Sequence, residues 1–548
     1  MRSRIAAKLR SPKNKSRKEK SKSKSKSKGK NKNATSTSPS TSKRRVRTRT
    51  RRRVRVSSAT TSCEGEYEYG YGTQETHSGV GSGESDDALP SSSSPSRAPR
   101  SLPTPPPSLA SLPLSPLPHA LPLTSGLGHA LGLEHASAAR KARPSLASLS
   151  LPPHPDSFAP LIHAAAWGEV LALSHVLLDP ARVADLSPVS IVNVRTLRCL
   201  ALLKLGMVAR AEAEARPLLG HELRALASYQ SYPELYPDKT GSFLPYLLRV
   251  VGFVLHFLQG NPDDAFRDAT EVLEWVRAHN PVHTPNPVAP NPSEEAVSDA
   301  HVLDLVSLDM GIDAQLAAAS AVAADGDVWA FREIATLLTM ISMHVRMGDT
   351  LAGIALFQST LYPLRPDEPG LLGLLGRMYL SVGHVGAAAC VFAKVEELAG
   401  PFAPSGDPED VPSVHVNRGY VAIAQTQHAA AALCFQRALD LYVAHEKASG
   451  GATKWSESAK ASAANNRAVA WLHDGKLDKA TKSLENIVHA SPACTVNPTI
   501  IANLTLLHEL SGGSVSSAKS ALARMVAEHA GDDFDINALR LSTLSLNQ

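Results

Sequence analysis

The stretch NNRAVAWLHDGKLDKATKSLENIVHASP, Asn465–Pro492, decides how the chain is read. On either side of Gly475 the apolar residues recur three and four apart, the spacing that gathers them on one helix face. Gly475 breaks the pattern and Pro492 closes it, so the segment reads as two short helices joined by a turn. A lone hairpin of this kind cannot bury both of its faces. It is either an isolated feature on another domain or one unit of a stack, and the spacing of similar punctuation elsewhere decides which.

That punctuation returns. Gly348, Gly353 and Phe357 stand in order in RMGDTLAGIALFQSTL, and Gly383, Ala388 and Phe392 in SVGHVGAAACVFAKVEEL. Ala431, Phe435 and Ala438 follow in AQTQHAAAALCFQRALDLY, with Gly419 one helix earlier, and the opening stretch supplies Gly475, Ala480 and Leu484. The small residue of the second helix therefore falls at 353, 388, 431 and 480, in steps of 35, 43 and 49. A tetratricopeptide unit is a helix–turn–helix of about 34 residues. The two longer steps hold two of three Gly/Pro-rich insertions, near 279–295, 399–412 and 446–454. Weaker copies lie at Gly206 with Ala211 and at Gly260 with Ala265, and a last hairpin around Ala518 and Leu522 caps the series.

Four copies in phase, with little strand alternation, predict an all-α, right-handed tetratricopeptide-type α-solenoid of six to eight hairpins. N-terminal hairpins are expected over 156–330 and the repeat array over 331–548. Gly383, Ala388, Ala431 and Ala480 are expected at close helix crossings, with Phe357, Phe392 and Phe435 in the core.

The first 155 residues read differently. Residues 1–56 carry 24 Lys and Arg against the single acid Glu19, whereas the rest holds 33 basic and 50 acidic residues, so the net charge of +6 describes neither part. SKSKSKSKGKNKN, KRRVRTRTRRRVRV and the Ser/Pro-rich stretch beyond lack the apolar content to offset chain entropy and predict a disordered tail, basic over 1–56 and Ser/Pro-rich over 57–155. Nucleic acid, anionic lipid, nuclear import and a mitochondrial presequence are the functional readings of the basic run. No aromatic residue interleaves with the charges to stack on bases, and a solvated tail is the favoured reading.

Five widely spaced cysteines without a CxxC pair suit a reducing compartment, and three of them sit in apolar helical runs as small hydrophobes. No run of about 18 apolar residues suggests a membrane span, and a cytosolic location is expected. Phosphate-loop, GxGxxG, GxSxG and HExxH motifs are absent. The 21 histidines lack metal-ligand spacing, so the chain predicts no catalytic residue, metal or cofactor. Asn417–Arg418 and Asn466–Arg467 occupy equivalent places in two first helices. They are the candidate groove residues, although the lysines of a carboxylate-gripping clamp are missing.

Several segments together resemble one family. They are VRTLRCLALLKLGMVARAEAE, YPDKTGSFLPYLLRVVGFVLHFLQGNPDDAFRDATEVL, RPDEPGLLGLLGRMYLSVGHVGAAACVFAKVEEL and the opening stretch with NLTLLHEL after it. Tyr236, Pro237, Gly241, Ser242 and Pro245 carry the most weight, because repeat periodicity does not require them. Over about 190–545 the chain resembles the twelfth-subunit family of the TRAPP (trafficking protein particle) tethering complex. The resemblance implies a non-enzymatic scaffold in a TRAPP III-type assembly, beside the eighth and eleventh subunits, acting in endoplasmic reticulum to Golgi traffic and autophagy. It implies a Rab-type GTPase as an indirect partner, no specific nucleic acid, and a cytoplasmic protein held at early secretory membranes through the complex. Rival readings are a generic tetratricopeptide adaptor (chaperone cofactor or import receptor) and a basic-tailed nuclear scaffold.

Overall fold

The structure is a computed structural model. It describes residues 152–220, 226–280 except 238, 282–283, 328–400, 406–451, 454–512 and 515–540, with scattered residues from Leu109 to Ser145. The basic run 1–56 and most of the insertion after 283 lie outside the described residues.

Helices follow one another in pairs. The first four hairpins are α1 (Phe158–His163) with α2 (Trp167–Leu177), α3 (Pro188–Lys204) with α4 (Val208–Leu219), α5 (Tyr246–Leu258) with α6 (Pro262–His279), and α7 (Val328–Arg346) with α8 (Thr350–Leu356). After them come α9 (Pro369–Ser381) with α10 (Val385–Ala399), α11 (Pro412–Ala424) with α12 (His428–Ser449), α13 (Lys454–His473) with α14 (Leu477–Ala490), and α15 (Pro498–Ser511) with α16 (Val515–His529). Among the described residues there is no strand, only an isolated bridge between Ser228 and Ser242. The fold is an all-α solenoid of tetratricopeptide type.

One local rule makes each hairpin. A residue with positive φ sits just past the first helix: Ala165, Gly206, Gly260, Gly348, Gly383, Thr426, Gly475 and Gly512 in order. At the opening stretch, Gly475 N–H donates to Leu472 O at 3.0 Å and Lys476 N–H to Trp471 O at 2.8 Å. This closes the last carbonyls of α13 and reverses the chain into α14. Thr426 and Gln427 repeat the geometry at 2.8 Å each, although a β-branched residue is strained there. Gly348, Gly383 and Gly475 therefore have a job different from the one expected of Gly383. A Cβ on any of them would meet nothing within 4 Å. They are required by the turn and not by a crossing. Helix starts are equally legible: Pro188, Pro262, Pro369, Pro412 and Pro498 each occupy the first turn, where the missing N–H costs nothing.

Two expected boundaries move. Val328–Arg346 is one helix, and a single buried cluster runs from Leu109 to Met378, so the division at 330/331 falls inside a packed element. Glu446–Ser449, read as part of an insertion, continues α12, and Lys460 Nζ pairs with Glu446 at 2.8 Å and Glu457 at 2.6 Å. The longest repeat step is absorbed largely by longer helices.

The array also meets its own start. Asp532 N–H donates to Ala165 O at 3.0 Å, and Asp532 Oδ2 accepts from Gly168 N–H at 2.9 Å. The carboxylate thereby caps α2, whose own N-cap residue Ala166 offers no side-chain acceptor. Residues of the expected tail join this seam. Leu109 and Leu112 are buried in the N-terminal cluster, Leu123 and Leu127 in the C-terminal one, so packed chain begins well before 155. A sequence window dominated by Ser and Pro hides these leucines, although Leu123, Leu127 and Leu131 stand four apart on helical backbone and pack on one cluster.

Candidate binding surfaces

The repeat positions assemble as small residue against ring. Ala388, Ala431, Ala480, Phe357, Phe435 and Leu484 are fully buried, and Phe392 nearly so. Gly353 lies at a crossing, where a Cβ would come within 3.2 Å of Met378 Cε. The tightest crossings involve the first helices. A Cβ on Gly376 would stand 2.3 Å from the Phe392 ring, and one on Gly419 2.7 Å from the Phe435 ring. Gly376 was not singled out from the sequence, although it stands 43 residues before Gly419, the same step as from Ala388 to Ala431.

First helices of three successive hairpins line a groove of about 160 Å³. Gly373 and Arg377 of α9, Ser413 and Asn417 of α11, and Ser462 and Ala463 of α13 face it. Of the four candidate groove residues only Asn417 lies there. Arg418, one residue on and so about 100° around the helix, turns toward the preceding hairpin. It pairs with Glu396 and, at 2.6 Å, with Glu409. Those hydrogen bonds, to Glu409 first, push its pKa up, and in return Arg418 holds the Glu409 carboxyl below its usual value. Asn466 donates to Tyr420 Oη at 2.9 Å. Arg467 bonds Gln436 and Ser483 Oγ while its guanidinium lies 4.7 Å from the Trp471 ring centre. Three of the four are thus braces between helices, and no carboxylate clamp is assembled.

A larger cavity, about 770 Å³, opens between α4, α5 and α6. The Arg249 guanidinium lies 4.3 Å over Trp275 on its wall, and Glu212, Arg216, Asp264 and Asp268 rim it. Next to it Glu333, 1% exposed, receives Arg277 at 2.8 Å, Asn280 at 3.0 Å and His283 at 2.9 Å. This ties the chain after α6 to α7. Ahead of α5, Tyr236 and residues 239–245 pack beside Tyr229. Gly241 takes φ 92°, Tyr229 packs edge-on to Tyr236 at 5.2 Å and against Phe243 at 5.3 Å, and Lys239 Nζ covers both tyrosines.

Polar chemistry is buried where the sequence looked apolar. Arg195 and Arg198 stand three apart in VRTLRCLALL, on one face of α3, and are 2% and 0% exposed. Arg198 Nε pairs with Glu214 of α4 at 2.8 Å. Cys199 beside them is sealed in, and desolvation pushes its thiol up to about 12, far from a reactive thiolate. Two arginines in so apolar a helix were the available signal. Among the described residues no group of His, Cys, Asp or Glu is placed to hold a metal ion, and no helix is long and apolar enough to cross a membrane.

No family model matches the chain. Among solved structures, the hetero-tetramer Cut9-Hcn1 of the APC/C overlaps 71% of this chain and 91% of its own at 13% identity, with a TM-score of 0.21. Over 341 residues, 62% of its length, the chain is 24% identical to trafficking protein particle complex subunit 12 of Mus musculus. It is equally identical over the same length to the Homo sapiens protein of that name. It spans 38% and 41% of those two relatives. The resemblance read from the sequence is to this same subunit.

Proposed function

We propose that the chain is a non-catalytic scaffold subunit of a TRAPP III-type tethering complex. The observation that carries this reading is the similarity to subunit 12 over 341 residues. The fold supports it. Hairpins that bury small residues against rings leave their outer faces free to meet protein partners over extended areas. Two of the candidate groove residues are instead used as internal braces: Arg418 on Glu396 and Glu409, Arg467 on Gln436 and Ser483. Its neighbours in the complex are the eighth and eleventh subunits. A Rab-type GTPase is engaged indirectly through the exchange-active core. The protein works in the cytoplasm at early secretory membranes, in endoplasmic reticulum to Golgi traffic and autophagy, attached to membranes through the complex.

The test is co-purification of the tagged protein at endogenous level, with mass spectrometry. TRAPP subunits in the eluate, and slowed cargo exit on depletion, are expected. Heat-shock chaperones or chromatin proteins without any TRAPP subunit would replace this reading by the adaptor or the nuclear scaffold.

A further inference from the structure

We infer that the buried Arg195, Arg198 and Glu214 of α3 and α4 form a binding site for an extended, proline-flanked peptide backbone, and that the chain's own Leu112 and residues 114–118 occupy it. The contacts are those of a receptor with a ligand. Arg195 Nη2 donates to Leu112 O at 2.8 Å, and Arg198 Nη2 donates to Ser115 O. Glu214 Oε1 accepts from Ser115 N–H at 2.9 Å, and Arg210 Nη1 reaches Pro116 O at 3.3 Å. Both main-chain groups of Ser115 are read by one buried Arg–Glu pair, so the recognition is of an extended backbone, which the flanking prolines favour. Leucines set the register: Leu109 and Leu112 enter the N-terminal cluster, and Leu123 and Leu127 the C-terminal one. Between them a Cβ on Gly168 would lie 2.8 Å from Leu121 Cδ1, so the first turn of α2 is shaped to let this leucine pass.

The same contacts make the occupant exchangeable. The groove floor is charged, so water can replace the segment's carbonyls and N–H when it leaves, which an apolar core does not allow. Held in cis, the segment competes at the high effective concentration of a tethered ligand, and a partner presenting the same chemistry must displace it. The site is separate from the concave groove of α9, α11 and α13 and does not depend on membership in a tethering complex.

The experiment uses a fluorescent synthetic peptide of residues 106–131 and the full chain. Anisotropy titration compares the parent with the full-length variant Leu112→Asp/Leu123→Asp/Leu127→Asp, whose own segment no longer seats. The variant should bind the peptide at least about tenfold more tightly than the parent, whose groove is filled. A peptide N-methylated at residue 115, which cannot donate to Glu214, should bind the variant at least about fivefold more weakly. Equal binding to both proteins, or none to a variant that keeps the parent's helical melt, overturns the proposal. Hydrogen exchange on the parent decides independently of that variant's folding. The amides of Leu112, Leu114, Ser115 and Leu117 should exchange at least about tenfold faster than α3. Exchange only together with α3 would make the segment a permanent part of the core and end the idea.

Discussion

In α9–α12 neighbouring helices meet through a glycine pressed on a phenylalanine ring, Gly376 on Phe392 and Gly419 on Phe435. In α3–α4 the positions equivalent to these are the buried Cys199 and Ala215, and charge stands one residue before each: Arg198 and Glu214, 1% and 3% exposed in their side chains, paired at 2.8 Å. The first arrangement gains from shape, since a ring laid on bare backbone makes many dispersion contacts and orients nothing polar. The second must offset the desolvation of two ions, and does so by giving them further partners. Arg198 also donates to Leu171 O at 3.3 Å, Ser174 Oγ at 3.2 Å and Ser115 O, and Glu214 accepts from Ser115 N–H. The difference teaches that one repeat geometry tolerates two kinds of crossing, and that the polar kind occurs where an extended segment has to be recognised.

The largest effects should come from breaking each crossing in its own currency. Arg198→Met leaves Glu214 buried without its cation and should cost about 3–5 kcal/mol, while the double variant Arg198→Met/Glu214→Leu should recover most of that loss. Phe392→Ala should cost a similar ~3–5 kcal/mol, but through a cavity, so no polar partner can rescue it. Urea melts of the three variants separate the cases. If the double variant at 198 and 214 is as unstable as the single one, the loss does not come from leaving Glu214 without its cation.

Overpacking comes next. Gly376→Ala places a methyl inside the Phe392 ring and should cost about 1–3 kcal/mol, and Phe392→Leu in the same chain should return part of it. Turn glycines rank lower. Gly383→Ala meets no atom but must hold φ 80°, so about 1 kcal/mol is expected. Thr426→Gly, at the equivalent turn, should change stability in the opposite sense. Equal losses at 376 and 383 would show that the two glycines meet the same constraint.

Much of this was written in the sequence, and the reason lies in how locally each feature is encoded. Turn glycines, first-turn prolines and the Ala–Phe spacing of second helices are near-neighbour patterns, so hairpins could be placed and Ala388, Ala431 and Ala480 singled out. Gly376 stands 16 residues before Phe392, as Gly419 stands 16 before Phe435, so the same offset encodes both crossings. Arg195, Arg198 and Glu214 become a unit only when α3, α4 and residues 112–116 are brought together, across as many as 99 positions. Asp532 caps α2 from 364 positions away, a relation that no local pattern encodes. Asn417–Arg418 and Asn466–Arg467 are equivalent in register, and that equivalence alone makes them groove candidates in the sequence. Adjacent residues on a helix point about 100° apart, which splits each Asn from its Arg.

The smallest expected effect tests the exposed counterpart of the buried pair. Glu409 is about half exposed and receives Arg418 at 2.6 Å, with His415 and Arg437 nearby. The hydrogen bond from Arg418, ahead of the more distant charges, holds its carboxyl below the ordinary 4.5. A carboxyl depressed on folding stabilises the native state above its unfolded value, and that contribution fades as pH falls from about 4.5 through the lower folded value. Water screens the pair, so its share should stay under about 1 kcal/mol. The parent should therefore lose slightly more stability than Arg418→Gln between pH 7 and pH 3, and about 1 M salt, with a screening length near 3 Å, should erase that difference. The Arg198–Glu214 pair, shut away from solvent, should keep its effect in the same salt. If both pairs respond to salt alike, the Arg198–Glu214 pair is open to water and the crossing at α3–α4 is not a buried polar one.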